Sequence, residues 1–157
     1  MPVDRSHIRV KAMLLAPSAD GCSHLVSCFA PTSENRLGYH RLAGGSVEVG
    51  ETHRETIIRE VDEELGASIL DLTYLGMIEN IFRYNGELGH EIVALHSGTL
   101  DPAPADEGGT LTESDGSLAR IVWRPFDDAD VPVPLYPSGA KAWISGPLAR
   151  IGDPYAS

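Results

Sequence analysis

Four acidic residues stand close together near the middle of the chain: Glu60, Asp62, Glu63 and Glu64. They fall in what reads as the last turns of a helix, and the C-terminal end of a helix carries about half a negative charge that disfavours carboxylates. Glu60 and Glu64 are four residues apart, a spacing at which like charges destabilise a helix. Sequences break local rules in this way mainly at functional sites, and a bound cation is the simplest compensation. Ligands that are all oxygen favour a hard ion such as Mg²⁺.

The segment that carries these acids is predicted to form a helix over roughly residues 53–65, although several of its residues are β-branched. Thr52 followed by Glu55 forms a capping box, in which each side chain satisfies a free backbone N–H. Gly66 supplies the left-handed residue that commonly ends a helix. One apolar stripe at helical spacing is formed by Ile57, Ile58, Val61 and Leu65.

On this helix Glu60, Glu63 and Glu64 occupy positions i, i+3 and i+4, so their carboxylates can converge beside the apolar stripe. Taken alone, such acids would be interpreted as the solvated face of an amphipathic helix. The residues that flank them change this interpretation.

The spacing of the segment resembles the Nudix box, which reads Gly, five residues, Glu, seven residues, Arg-Glu-aliphatic, one residue, Glu-Glu, one residue, Gly-aliphatic. The matching positions are Gly45, Glu51, Arg59, Glu60, Val61, Glu63, Glu64, Gly66 and Ala67. Ala67 is smaller than the usual aliphatic residue, and Ala43 stands where many family members carry Pro. At average residue usage, a chance match somewhere in the chain has a probability on the order of 10⁻⁷.

The resemblance implies a single Nudix hydrolase domain over residues 1–157 with an α/β (α+β) fold, in which a mixed β-sheet is sandwiched between α-helices. It also implies hydrolysis of a nucleoside diphosphate linked to another group, with water attacking phosphorus. The implied cofactor is Mg²⁺ or Mn²⁺. Divalent ions suit this chemistry because they neutralise the anionic bridge and lower the pKa of bound water.

The resemblance further assigns the metal ligands. Glu60 and Glu64 are the first ligands, Glu63 follows as ligand or catalytic group, and the backbone carbonyl of Gly44 is a further ligand. Several acids are needed because the cation must be held while substrate phosphates fill its remaining coordination positions.

Arg59 and Glu51 have a different expected role in catalysis. Arg59 is expected to point away from the metal face, and it matches the arginine that, in the family, braces the glycine-rich loop against the helix through the residue that matches Glu51. A bidentate guanidinium–carboxylate pair of this kind fixes geometry as well as charge. The alternative is an ordinary solvated arginine in a weak surface pair.

Two further candidates lie outside the box. Tyr84, in a predicted hairpin, falls about where some dinucleoside polyphosphate hydrolases place a base-stacking tyrosine, although hairpin aromatics also pack across strands without a ligand. The acidic segment 101–117 is interpreted as a loop. In the family, a loop at this place often brings an extra glutamate as base or ligand, which favours Glu113 or Glu107, with Asp115 also possible. The alternative is a plain solvated loop.

Length, charge and cysteine content are compatible with this interpretation. The chain has 157 residues, enough for one domain with a sizeable core, and its formal net charge is −11. That charge argues against nucleic acid or an anionic membrane as partner, and it suits a phosphate-bearing small-molecule substrate only if cations reverse the local sign. No signal peptide or bilayer-spanning segment is predicted. Cys22 and Cys28 are interpreted as reduced thiols of a cytoplasmic protein.

The order of predicted elements is that of a mixed α/β protein. Strands are predicted, from alternation and flanking turn residues, at 7–15, 24–29, 38–42, 69–83, 90–100 and 121–124. A closing helix is predicted over 138–144, and Tyr84-Asn85-Gly86 is a hairpin turn.

Two other functional classes remain open from the sequence. One is a Nudix-like sensor that binds a nucleotide without cleaving it, although such proteins usually lose box acids. The other is a Nudix-related isomerase, which needs protonating residues such as a Cys opposite a Glu. The sequence selects neither the nucleotide substrate nor the oligomeric state, for which a homodimer is the commonest closed assembly.

Overall fold

The computed structural model describes residues 4–144, so the ends of the predicted 1–157 domain lie outside the described residues. Within that range the elements in chain order are β1 (Arg9–Leu15), β2 (Ser23–Phe29), β3 (Tyr39–Arg41), β4 (Ala43–Ser46), α1 (His53–Leu65), β5 (Ser68–Tyr84), β6 (Glu87–Asp101), β7 (Gly109–Thr112), β8 (Leu118–Pro125), β9 (Leu135–Tyr136) and α2 (Ala140–Ile144). Neither helix in this part of the chain has the length and apolar character that a membrane crossing requires.

The strands form two mixed sheets. The first has the order β4-β1-β6-β5, with β1 and β6 parallel, and the second has the order β7-β8-β2-β3-β9, with β3 and β9 parallel. The remaining neighbours are antiparallel. The predicted mixed α+β fold class is confirmed, with the strands of the described residues divided between two sheets.

Each predicted strand corresponds to an observed one, but β4, β7 and β9 were not predicted. The segment 101–117, interpreted as a loop, contains β7, which pairs along its whole length with β8. The anchor of β7 is Leu111, which is buried in the core. One buried residue in a four-residue strand gives too little alternation to detect, so this pairing had no local signal.

β1 lies at the centre of the molecule and is buried on both faces. Ala12 and Leu14 point into a core that contains Ile57 of α1. Met13 and Leu15 point into a second core, on the other face of the sheet. This strand therefore holds the first sheet rigidly between two packed layers.

α1 has the bounds that the sequence predicts. The Thr52 hydroxyl accepts from the Glu55 N–H at 3.1 Å, and the Glu55 carboxylate accepts from the Thr52 N–H at 2.8 Å. Gly66 has the left-handed φ of 61° expected of a helix end. The predicted apolar stripe is wrong at Ile58, which is 47% exposed. The buried face instead runs through Thr56, whose hydroxyl donates to the Glu51 carboxylate at 2.6 Å.

His24 of β2 is a buried histidine without polar compensation. It has no exposed surface, and within residues 4–144 neither ring nitrogen has a hydrogen-bond partner. Burial is the main cause that lowers the pKa of His24 to about 4, with the nearby Arg124 charge adding to the effect. The folded protein thus keeps this imidazole neutral.

A pH dependence of stability follows. The unfolded chain protonates His24 near pH 6.5 and the folded chain only near pH 4, so the folded state binds fewer protons and loses up to about 3 kcal/mol as pH falls through this window. Urea unfolding at pH 7.0, 5.5 and 4.5 should show a smaller loss for His24→Leu than for wild type. The exposed His7→Leu variant is the matched control and should behave as wild type; equal pH slopes for all three proteins would contradict the assignment.

Candidate active site

Two adjacent glycines bring β4 close to both β1 and α1. Gly44 pairs with Met13 of β1 and has φ of 147°, and a Cβ there would overlap the backbone oxygen of Ala12. At Gly45 a Cβ would overlap the carboxylate of Glu60. Missing side chains therefore let the Glu60 carboxylate lie directly against the backbone of the glycine-rich strand.

Arg59 ties the loop before α1 to the helix and to β4. Its Nε donates to Oε2 of Glu51 at 2.7 Å and its Nη2 to Oε1 at 3.0 Å, which makes the pair bidentate. Nη2 also donates to the backbone oxygen of Ser46 at 3.3 Å. Hydrogen bonds from Arg59 and from Thr56 lower the pKa of Glu51 to about 2. The bracing pair that the resemblance implies is present.

The sequence interpretation expected Arg59 to point away from the box acids, and this expectation is wrong. The Nη1 of Arg59 donates to Glu60 at 3.0 Å and to Glu63 at 3.2 Å. A guanidinium has five donors in a fixed fork, so it can satisfy Glu51 on one side and these two carboxylates on the other. Arg59 therefore neutralises part of the acidic cluster as well as bracing the loop.

Five glutamates line one cavity of about 280 Å³: Glu48, Glu60, Glu63, Glu64 and Glu113. Glu60 and Glu64 are only 7% and 9% exposed. Burial raises the pKa of Glu64 to about 8, and the charges of Glu113 and Glu60 contribute to the same shift. Two carboxylates of the cavity, those of Glu60 and Glu64, are thus held where water screens their charge poorly.

The donor set at this cavity fits a hard divalent cation. Every candidate side chain offers carboxylate oxygens, and like charges oppose the ionisation of Glu64, so added positive charge would relieve the site. Among residues 4–144, no three acidic, His or Cys side chains already stand close enough together to hold an ion. Glu60 and Glu63 instead share the Arg59 guanidinium.

Of the predicted loop acids, the structure brings only Glu113 to the glutamate cavity. Glu113 follows β7 directly, and its N–H donates to the Ser117 oxygen at 2.8 Å across a tight turn. Asp115 lies in the same turn, where its carboxylate accepts from the Ser117 N–H at 2.9 Å. Glu107 is exposed and lines neither of the two cavities described here.

A second, larger cavity of about 970 Å³ adjoins the first. Phe29 and Tyr39 line it as a stacked pair, with ring centroids 4.9 Å apart. Tyr84 lines it as well, and its ring lies 4.8 Å from the Arg5 guanidinium. The predicted tyrosine therefore lines the same cavity as four aromatic residues that sequence reasoning missed: Phe29, Tyr39, Phe82 and Tyr136.

Lys11 and Arg41 line both cavities, together with Glu113 and Ser114. Neither basic residue was predicted as part of the site. Lys11 offered one signal, since it is the one charged residue between Val10 and Leu15 in a buried strand. Arg41 offered none, because only the pairing of β2 with β3 places it beside Phe29.

Comparison with known proteins finds a match to the family model described as NUDIX domain over residues 25–144. A curated relative named "Putative mutator protein MutT4", from Mycobacterium tuberculosis, is 34% identical over 85 residues, which cover 54% of this chain and 32% of that protein. Another, "Putative 8-oxo-dGTP diphosphatase 2" from the same organism, is 29% identical over 107 residues, covering 68% of this chain and 75% of that protein. The chain thus spans about a third of the first relative's length.

Solved structures share the fold at low sequence identity. A MutT NUDIX hydrolase from Burkholderia pseudomallei matches with a TM-score of 0.64 at 22% identity, covering 93% of this chain and 99% of that one. The ORF135 protein of E. coli matches with a TM-score of 0.56 at 22% identity, over the full length of both chains.

The contact between Gly45 and Glu60 gives a test of the cavity. In Gly45→Ala the new methyl group must displace the Glu60 carboxylate, a flexible group, so the fold should survive while cation binding weakens by about tenfold or more. Thermal unfolding with and without 5 mM MnCl₂ should show a smaller metal-induced rise of the midpoint than in wild type. Gly109→Ala is the matched control, because its Cβ would meet nothing closer than 3.9 Å. An unchanged metal-induced shift in Gly45→Ala would contradict the geometry.

Proposed function

The chain belongs to the NUDIX domain family, and we propose that it is a Mg²⁺-dependent hydrolase that cleaves the pyrophosphate bridge of a nucleoside diphosphate linked to another group. The observation that carries the proposal is the glutamate cavity, where Glu60, Glu63, Glu64 and Glu113 surround one space. The Arg59–Glu51 pair holds the loop next to this cavity, and the larger cavity lined by aromatic residues adjoins it.

We assign the metal-holding role to Glu60, Glu63 and Glu64, with the Gly44 carbonyl as a further ligand. Mg²⁺ or Mn²⁺ bound there supplies charge neutralisation of phosphoryl oxygens and a lowered pKa for a coordinated water. The bidentate Arg59–Glu51 pair keeps the loop before α1 in place, so the carboxylates need not reorganise during the reaction.

We assign the general base to Glu113. Its carboxylate has no ion-pair partner within 4 Å among the described residues, whereas that of Glu63 accepts from Arg59 at 3.2 Å. In this mechanism the water oxygen forms a bond to phosphorus, its proton passes to Glu113, and the bridging oxygen leaves with the other phosphoryl group. Glu63 remains the alternative base.

We place the nucleoside in the larger cavity. Its aromatic residues, Tyr84 and the stacked Phe29–Tyr39 pair among them, offer flat faces on which a base can stack. The relative named as an 8-oxo-dGTP diphosphatase makes purine nucleoside triphosphates one class of substrate to test. The free thiols of Cys22 and Cys28 support the expected cytoplasmic location.

The structure favours neither alternative class. A sensor is expected to lose box acids, and this chain keeps Glu60, Glu63 and Glu64 around one cavity. An isomerase is expected to place a cysteine at the site, and neither Cys22 nor Cys28 lines the two cavities. A single domain over 1–157 and a homodimer stay predictions.

Hydrolysis of a nucleotide panel tests the proposal. The panel contains nucleoside triphosphates, nucleotide sugars, ADP-ribose and dinucleoside polyphosphates, incubated with MgCl₂ and followed by phosphate release after phosphatase treatment. At least one compound should be cleaved, and Glu60→Gln and Glu64→Gln should each lower turnover by at least about 100-fold with the fold intact. Cleavage of no diphosphate, or near wild-type rates in either variant, would contradict the proposal.

The same assay separates the two loop acids. Glu113→Gln keeps the size of the side chain but removes its basicity, so turnover should fall by about 100-fold or more. Glu107→Gln is the matched control in the same segment and should keep wild-type turnover, since Glu107 lines neither cavity. Wild-type turnover in Glu113→Gln would contradict the assignment of Glu113 as general base and would favour Glu63 instead.

A further inference from the structure

Two basic residues lie at the junction between the two cavities, beside Glu113 and Ser114, in a protein of net charge −11. Lys11 of β1 and Arg41 of β3 line both cavities, so any chain of atoms that runs from the aromatic cavity to the glutamate cavity passes beside them. Their charge state and contacts therefore decide what the junction binds.

Lys11 is a buried ammonium without a partner. It is 8% exposed, and it makes no hydrogen bond or salt bridge within residues 4–144. Burial lowers its pKa to about 8, so the group keeps most of its charge at neutral pH. Glu91 and Glu60 favour that charge from a distance, but neither forms a salt bridge with it in the described chain. Burying an unpaired charge is costly, so an anion bound beside Lys11 would lower that cost.

The Arg41 side chain likewise makes no hydrogen bond or salt bridge within residues 4–144. Its guanidinium lies 5.0 Å from the centre of the Phe29 ring. Its Nε is buried and has no hydrogen-bond partner in the part of the chain that the structure describes. An arginine held flat on an aromatic ring keeps its outer donors free for an anion.

The other basic residues around the larger cavity already have acceptors. Arg5 pairs with Glu87 at 2.9 Å and Arg9 with Glu91 at 2.6 Å. Arg83 donates to the Gly86 oxygen at 3.1 Å. Among the basic residues that line the larger cavity in the described chain, Lys11 and Arg41 are therefore the two whose charged groups have no acceptor.

We propose that Lys11 and Arg41 form a phosphate-binding pair that holds the phosphoryl group on the nucleoside side of the scissile bridge. This inference rests on the proposed function, because it assumes a substrate whose phosphate chain leads from the aromatic cavity to the glutamates. The pair would offset the repulsion between that chain and the glutamates, and it would fix which phosphoryl group faces Glu113.

Calorimetric titration of inorganic pyrophosphate tests the pair without metal or turnover. The titration is done in EDTA at pH 7.0 and low salt, on wild type, Lys11→Met, Arg41→Met and the double variant. Wild type should bind, each single variant should bind about tenfold or more weakly, and the double variant should show no binding. Met keeps the straight apolar chain of Lys11, so the variant should fold; far-UV circular dichroism confirms this for each protein.

Arg36→Met is the matched control, because Arg36 is exposed and lines neither cavity. It should bind pyrophosphate as wild type does. Absence of binding to wild type, or unchanged affinity in Lys11→Met and Arg41→Met, would overturn the inference. Failure of the proposed function looks different: pyrophosphate would bind through Lys11 and Arg41, but no nucleotide of the panel would be hydrolysed.

Discussion

Electrostatic repulsion among clustered carboxylates is the constraint on which this site depends. Glu60, Glu63, Glu64 and Glu113 surround one small cavity, and two of them are almost fully buried. Arg59 is the one residue seen to pair with these acids in the described chain, and it reaches only Glu60 and Glu63. Burial is the main cause that raises the pKa of Glu64, and the charges of Glu113 and Glu60 add to the rise. A divalent cation would neutralise this negative charge, so the proposed reaction requires the acidity of the site.

The fold holds this unfavourable arrangement because its neighbours are rigid. β1 is packed on both faces and pairs with β4, in which Gly45 leaves room for the Glu60 carboxylate. α1 is fixed at its start by the capping box and at its side by the Arg59–Glu51 pair. Glu113 directly follows β7 of the second sheet, so residues from both sheets line the cavity. The stability of the packed layers thus offsets the cost of holding like-charged carboxylates together at the site.

Features set by local sequence were predicted, and features set by distant pairing were not. The bounds of α1 follow from Thr52, Glu55 and Gly66, which act within a few residues of the helix ends. The long hairpin of β5 and β6 follows from its turn residues. Ile58 was wrongly placed in the core because helical spacing does not say which edge of a stripe meets the sheet. β7, and the meeting of Lys11 with Arg41, depend on strand order, which no local pattern encodes.

Binding of Mn²⁺ in the absence of nucleotide tests the central claim most directly. Electron paramagnetic resonance of free Mn²⁺ during titration counts the ions that the protein removes from solution. Wild type should remove Mn²⁺ from solution, and a variant with both Glu60→Gln and Glu64→Gln should leave it free while its circular dichroism stays unchanged. If wild type leaves Mn²⁺ free, or if the double variant binds it equally well, then the glutamate cavity is not a metal site.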